Sequence, residues 1–477
     1  GYRVLNWLQI HNMFLGETTY SDEDQLRTIA TLLQHASYLY ERNQKFHAGN
    51  HQTRGLSALA MISILLRDFE GTDIWYQHAM KLLEAHLLKE INDDGFQFER
   101  SVHYHISDIE NYYYVYQLAK INGIKMSVFW EEKLKSLFTT LTKIGYPNKS
   151  APVLQDDTNI PWAEKNDISG ALTLGYLLFE EPEMGYFASN EVAAKMYWYL
   201  SDQQLMLLKD IKKKQPEFKS LSFPTTGYFV QRDGWDANDQ IMIISAGVDA
   251  EKPDHQHGDI LGIQAMANGK VILPNYQVRY SLKDYEFFKN SMVKNVALVD
   301  DELQGKQYTS NQGGSGFGKF LELPIPKVIT WNINPNLDLF QLNKIDDVKS
   351  SGARGKQWSI ISKNEATAFS FITVIFPYVG YDNRINELDT TPQLKGWKTN
   401  NSEWKAKGED FFSLSKKDET YFFGVKQLSY HNIKIELSKT TDVYVKLTEK
   451  ELTIQLIGDT ETQIVTEGLK ECKSLVL

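Results

Sequence analysis

The spacing of apolar residues changes character once along this chain, and that change constrains the fold more than any other feature. From about Ser21 to Lys214 apolar residues recur at helical spacing, in segments of roughly 15 to 20 residues joined by short turns. The pattern predicts helices near 21–42, 50–68, 73–90, 101–122, 127–144, 167–180, 186–200 and 202–213. Successive hairpins of this kind curl into a bundle or an α/α toroid, and without a fixed-period repeat a solenoid is disfavoured. After Pro216 and Pro224 the chain turns to short β-branched and aromatic runs at 227–230, 241–244, 270–273 and 367–374, a sandwich signature. The Gly/Asn-rich segment 311–316 reads as a flexible loop. Beyond about Thr399, alternation such as Val443-Tyr444-Val445-Lys446-Leu447 predicts a smaller terminal sheet. A length of 477 residues exceeds one ordinary core. The expected organisation is a multidomain α+β protein: helical 1–222, a central antiparallel β-sandwich at 223–399, and a C-terminal β-sheet region at 400–477.

Composition narrows the class of partner. A net charge of −10 argues against a nucleic-acid coat, and aromatic residues at 12% offer the flat surfaces on which sugar rings stack. The single cysteine, Cys472, excludes an internal disulfide framework and a multi-cysteine metal site. No apolar run approaches the ~20 residues of a membrane span. Gly1-Tyr2-Arg3-Val4 does not open a signal peptide, so any export signal is expected to have been removed already.

Four separated polar motifs outline a site: Asn50-His51, the run from Phe98 to His105, Asp156-Asp157, and the run from Asp254 to Asp259. Together they place a cleft where helices meet a β region. Asn50 follows Gly49 and opens a helix, either as its cap or with its side chain left to face the cleft. Arg54 follows one turn later on the same helix end. Ser101 is expected to cap the next long helix, which puts His103, Tyr104 and His105 in its first turn. Free amides and aligned peptide dipoles make that end positive, which favours an anion and an ionised tyrosine. Ionising an ordinary tyrosine at pH 7 costs roughly 4 kcal/mol. The helix end and neighbouring cations together can supply this, so that Tyr104 serves as a base. Packing like Tyr112, Tyr113, Tyr114 and Tyr116 is the plainer reading of a lone tyrosine, and the flanking His103 and His105 weigh against it. Asp156-Asp157 is a turn or a contact for sugar hydroxyls. In an extended strand His255, His257 and Asp259 would share one face.

These motifs resemble the heparinase II/III-like polysaccharide lyases. Asn50-His51 resembles the family's Asn-His pair, the run Phe98-Glu99-Arg100-Ser101-Val102-His103-Tyr104-His105 its Phe-Glu-x-Ser-x-x-Tyr-His element, and His255-Gln256-His257-Gly258-Asp259 its His-x-His-x-Asp motif, in family order. The resemblance implies an N-terminal incomplete (α/α) toroid, an antiparallel β-sandwich and a small C-terminal sheet. It also implies β-elimination at a uronic acid, in a periplasmic or secreted enzyme with an anionic polysaccharide as partner. Asn50, assisted by His51 and Arg54, would neutralise the uronate carboxylate. Tyr104 would move the proton, and His255 would be the cleft histidine. Glu99, Arg100, His105, Asp157 and Trp162 are the further residues expected to contact substrate.

The match departs from the family at the metal. His257 resembles a zinc-ligand position, but Asn275 and Lys294 stand where relatives with zinc carry Asp and His. No metal and no cofactor are therefore expected, with Lys294 replacing the ion by its own charge and pairing with Asp259. Arg54 stands where some relatives carry an acidic residue, and Arg54, Arg100, Arg232 and Arg279 are candidates for contacting sulfate. Two other readings fit the same motifs: an inverting glycoside hydrolase using Glu99 with Asp156 or Asp157, and a non-catalytic carbohydrate-binding relative.

Overall fold

A computed structural model of the chain describes residues 1–156, 163–245, 257–275, 289, 291 and 294–296, and strands with their turns between 337 and 467. Two compact units result, Gly1–Leu323 and Pro324–Leu477.

In the first unit the helices are α1 (Tyr2–Phe14), α2 (Asp22–Arg42), α3 (Asn50–Leu65), α4 (Thr72–Glu90), α5 (Val102–Ile121), α6 (Val128–Ile144), α7 (Ser169–Phe179), α8 (Pro182–Phe187) and α9 (Asp202–Lys209). Serine hydroxyls set several starts by accepting an N–H of the first turn. Ser21 does so in a reciprocal box with Asp24 on α2, Ser101 on α5 and Ser127 on α6. α3 starts differently. Gly49 is its N-cap, held at φ 105, a conformation that side chains resist. Helix α1 lies outside the expected set. The single helix expected at 186–200 is instead α8, started by Pro182, an extended break at Ala188, and a short 3-10 turn at Ala194–Tyr199.

Strands β1 (Ser150–Ala151) and β2 (Asn166–Asp167) pair between α6 and α7. A five-stranded antiparallel meander follows: β3 (Leu221–Phe223), β4 (Tyr228–Arg232), β5 (Ile241–Ser245), β6 (Gly262–Ala267) and β7 (Lys270–Leu273). Alternation along β4 buries Tyr228, Val230 and Arg232. These strands share one hydrophobic core with the helices, so the expected 222/223 junction lies inside a single unit. Phe96 forms the hinge of that core: its ring meets Phe223, Tyr228 and His105 edge-on at 5.7, 5.5 and 5.1 Å.

Every described strand pairing of the second unit is antiparallel. One sheet joins β8 (Leu337–Asp338), β9 (Ala353–Lys363) and β10 (Phe369–Val379) in the order β10-β9-β8. The other runs β11 (Asn386–Glu387), β12 (Leu394–Lys398), β13 (Glu403–Gly408), β14 (Phe412–Lys416), β15 (Glu419–Tyr430), β16 (Ile433–Leu447) and β17 (Leu452–Ile457), with β18 (Ile464–Glu467) on the other half of β16. Ile435, Val443, Val445 and Ile454 centre its own core. The expected 399/400 boundary falls within this sheet, between β12 and β13.

Candidate active site

Four hydrogen bonds among the described residues join α3 to α5, one of them from Asn111 Nδ2 to Thr53 Oγ1 (3.3 Å), and their register places the first turns of both helices side by side. Thr53 Oγ1 donates to Asp108 Oδ1 (3.1 Å), Arg54 Nη2 to Ser107 Oγ (2.8 Å), and Ser57 Oγ to the Asn111 carbonyl (2.9 Å). From the Thr53–Asp108 bond to the Ser57–Asn111 bond, one turn on, both partners advance, so α3 and α5 run parallel; these three separations lie between 53 and 55. Asn50 and Tyr104 share that offset and stand level at the N-terminal ends, where the peptide dipoles of both helices converge.

Asn50 does not cap its own helix with its side chain, and its side-chain amide makes no hydrogen bond among the described residues. The capping alternative is thereby corrected in favour of Gly49. His51 is exposed beside it. Tyr104 and His103 are half-buried, with their rings edge-on at 5.1 Å.

Several expected substrate contacts turn inward instead. His105 is fully enclosed: Nδ1 accepts the Gln97 N–H (3.1 Å), and Nε2 donates to the Leu137 carbonyl (2.8 Å). Burial pushes its pKa down to about 4, so the ring is neutral and structural. Arg100, in the left-handed region at φ 65, sends its guanidinium under the sheet, over the Tyr228 ring (4.5 Å) and to Ser245 Oγ (3.1 Å). Glu99 is also buried. Arg232 stacks on Trp235 (3.7 Å) and donates to the Lys143 and Gly145 carbonyls. The expectation that these four meet substrate is corrected by their burial. His255, Asp157, Trp162, Arg279 and the segment 311–316 lie outside the described residues.

The third and fourth motifs meet in a buried polar cluster. Asp156 binds the Lys289 ammonium through one oxygen and accepts from His257 Nε2 (2.7 Å) through the other. Gln155 accepts the His257 N–H (2.8 Å) and donates to Asp259 Oδ2 (2.9 Å). Residues 257–261 are loop and turn before β6, which corrects the extended reading of the His257–Asp259 stretch. Lys294 donates to Asn275 Oδ1 (2.7 Å), and its expected pairing with Asp259 is an attraction of charges without a hydrogen bond. Burial, with the Lys294 charge second, pushes His257 down to about 3, and burial brings Lys294 down to about 8. This donor set does not fit zinc. Two ammonium groups occupy the Asp156 carboxylate and the Asn275 amide, and His257 Nε2 carries a proton towards Asp156. His257 Nδ1 and Asp259 Oδ1 are the cluster's acceptors left without a hydrogen bond among the described residues, short of the four donors zinc takes. Among the described residues no three His, Cys, Asp or Glu side chains converge.

The polar groups that sequence reasoning missed are Lys289, and His86 with Glu90. Glu90 and His86 sit on the buried stripe of α4 with Ala79, Leu83 and Leu87, and two ionisable residues at core positions of a helix are a readable signal. Lys289 has no comparable local signature.

Residues 1–174 match the family model described as Heparinase II/III N-terminus. Over these residues the chain resembles the heparinase II/III family. Among curated relatives, the heparin-sulfate lyase of Pedobacter heparinus is 21% identical over 258 residues, covering 53% of this chain and 36% of that protein. The heparin-sulfate lyase of Bacteroides thetaiotaomicron is 22% identical over 253 residues, covering 51% and 34%. This chain thus spans about a third of the length of these relatives. Among solved structures, a crystal structure of heparinase III superposes with a TM-score of 0.51 at 13% identity, covering 98% of this chain and 66% of the other. A mutant heparan sulfate lyase from Pedobacter heparinus gives 0.51 at 14%, covering 97% and 66%. At such identities the likeness is one of fold: helices first, antiparallel sheets after. No described helix of this chain is long and apolar enough to cross a membrane.

Proposed function

We propose that this chain is a polysaccharide lyase that cleaves a uronic-acid-containing polymer of the glycosaminoglycan type, in the heparan or chondroitin/hyaluronan class, by β-elimination. The observation that carries the reading is an uncommitted Asn50 amide standing level with Tyr104 at two parallel helix N-termini. A C5 proton beside a carboxylate is very weakly acidic, so the site must stabilise the charge that develops there. The Asn50 N–H donates to the carboxylate, His51 and Arg54 add to this, and both helix ends favour the anion. Tyr104, as phenolate, takes the C5 proton. The C5–H electron pair becomes the C4–C5 double bond, the C4–O4 bond breaks with its pair on oxygen, and Tyr104 returns a proton to O4. His255 shares the base role according to the epimer of the uronate. Asp157 and Trp162 are the remaining proposed sugar contacts.

The helical hairpins are inferred to form an incomplete α/α toroid and the β3–β7 region part of a sandwich, the framework such a cleft needs. A polymeric substrate puts the enzyme in the periplasm or outside the cell. The hydrolase reading loses support because Asp156 is fully buried and held by Lys289, and Glu99 is enclosed. The test is ultraviolet absorbance of the unsaturated product during incubation with heparan sulfate, heparin, chondroitin and dermatan sulfates, hyaluronan, alginate and ulvan. A rise with one glycosaminoglycan is expected. New reducing ends without absorbance would replace elimination by hydrolysis.

A further inference from the structure

We propose that His86 and Glu90 of α4 are positioning residues for Asn50, a buried pair that grips the first turn of α3 on both sides of that asparagine. Both are almost wholly enclosed, at 0% and 2% exposure, one turn apart. Glu90 Oε1 accepts the N–H of Gly49, directly before Asn50 (2.7 Å), and Glu90 Oε2 faces His86 Nδ1 (2.7 Å). On the other side, His86 Nε2 lies 2.9 Å from Gln52 Oε1. That oxygen also accepts the His47 N–H (2.7 Å), and the Gln52 amide nitrogen donates to the Lys45 carbonyl (2.8 Å), which fixes the orientation of the amide. His86 Nε2 therefore donates to Gln52, and the remaining proton lies between Nδ1 and the Glu90 carboxylate. One side-chain atom of each residue thus holds the chain around residue 50, and the other two join the pair to itself.

This arrangement answers a problem at the start of α3. Gly49 offers no capping side chain and holds φ 105, so nothing local defines the angle at which Asn50 leaves the loop. Hydrogen bonds from a helix core define it instead, leaving the Asn50 amide available for the carboxylate. The inference rests on the lyase reading. A displacement of about 1 Å at a reacting group lowers turnover by as much as 10²-fold, the size of effect expected here.

The test is a mutant cycle on the full chain. Glu90→Ala is expected to lower kcat by about 10- to 100-fold with KM within about threefold. Glu90→Gln keeps an acceptor for the Gly49 N–H and is expected to restore kcat to within about threefold of wild type. In Asn50→Ala/Glu90→Ala the loss should equal that of Asn50→Ala alone, because a positioning residue has nothing left to position. Amide hydrogen exchange should rise at residues 47–52 in Glu90→Ala and stay unchanged in α6. If Glu90→Ala does not fold, Gln52→Leu, which cuts His86 from the first turn but leaves the pair intact, is expected to show the same non-additivity. Losses that multiply in the double variant, or unchanged kcat with unchanged exchange, would overturn the proposal. A wild type silent on every uronate polymer would instead sink the lyase reading, and exchange at 47–52 would still decide whether the pair holds the turn.

Discussion

Thr53 and Asp108 lock two parallel helices through a 3.1 Å hydrogen bond, one turn inside the ends that carry Asn50 and Tyr104. Asp108 also accepts from Asn111 and Gln97, so a single buried carboxylate joins α3, α5 and the loop before α5. Burial, and after it the nearby Glu90, push its pKa up to about 6. The geometry of the proposed site is therefore a property of helix packing.

Tyr104→Phe is expected to lower kcat by 10²-fold or more, the usual contribution of a positioned acid or base. Its melting temperature should stay close to that of wild type, since the ring is half-buried and retained. Near-normal product absorbance from a folded Tyr104→Phe enzyme would remove it from the mechanism.

Asn50→Ala is expected to cost about 10²- to 10³-fold in kcat, in the range of a lost oxyanion donor. Because the amide makes no hydrogen bond among the described residues, the loss in urea unfolding should stay within about 1 kcal/mol although the residue is only 9% exposed. A large stability loss with little kinetic effect would make Asn50 a structural residue.

Acid should weaken the fold through His105. Its folded pKa, about 4, lies below its ordinary value of 6.5, so its stabilising contribution is complete above pH 6.5 and is lost as pH falls through 4. The loss amounts to about 3 kcal/mol at 1.36 kcal/mol per unit. Gln at this position can accept from Gln97 and donate to Leu137 without titrating. Urea unfolding of wild type and His105→Gln between pH 7 and 4 should show a steeper decline in wild type, and parallel curves would refute the assignment.

Metal analysis of protein purified without chelator is expected to find no stoichiometric zinc, and chelator should leave activity unchanged. One zinc per chain would mean that Lys289 and Lys294 yield their acceptors to the ion.

Asp156→Asn removes the counter-charge of the fully buried Lys289 and is expected to destabilise by about 3–5 kcal/mol, read from chemical denaturation. Asp156→Asn unfolding at the wild-type midpoint would show that the ammonium finds equal compensation elsewhere.

Periodicity located α2 to α7 and α9 and the strands β4, β5, β7 and β10; β4 and β5 bury alternate residues, whereas α7 is buried continuously from Ala171 to Leu178 and is legible from its apolar run. It misplaced 186–200, where Pro182 and the extended Ala188 break the helix despite an apolar composition. The residues of the proposed first turns, Asn50 and Tyr104, were legible because caps and breakers mark helix starts. Arg100 and His105 were not, since spacing along a helix says which residues share an end but not which of them the neighbouring sheet will cover. The partnership of Lys289 with Asp156 joins residues 133 positions apart and leaves no local trace.

The parallel register of α3 and α5 also restricts how such a site can vary. A slip of one helix past the other has to move a full turn, about 5.4 Å, before ridges fit again, and it would break the Thr53, Arg54 and Ser57 bonds together. Small adjustments of the gap between the two reactive groups are not available by sliding. Loops joining these helices are then free to lengthen or shorten across descendants of this sequence, while tuning towards a bulkier or more charged sugar has to come from side-chain exchange at the helix ends.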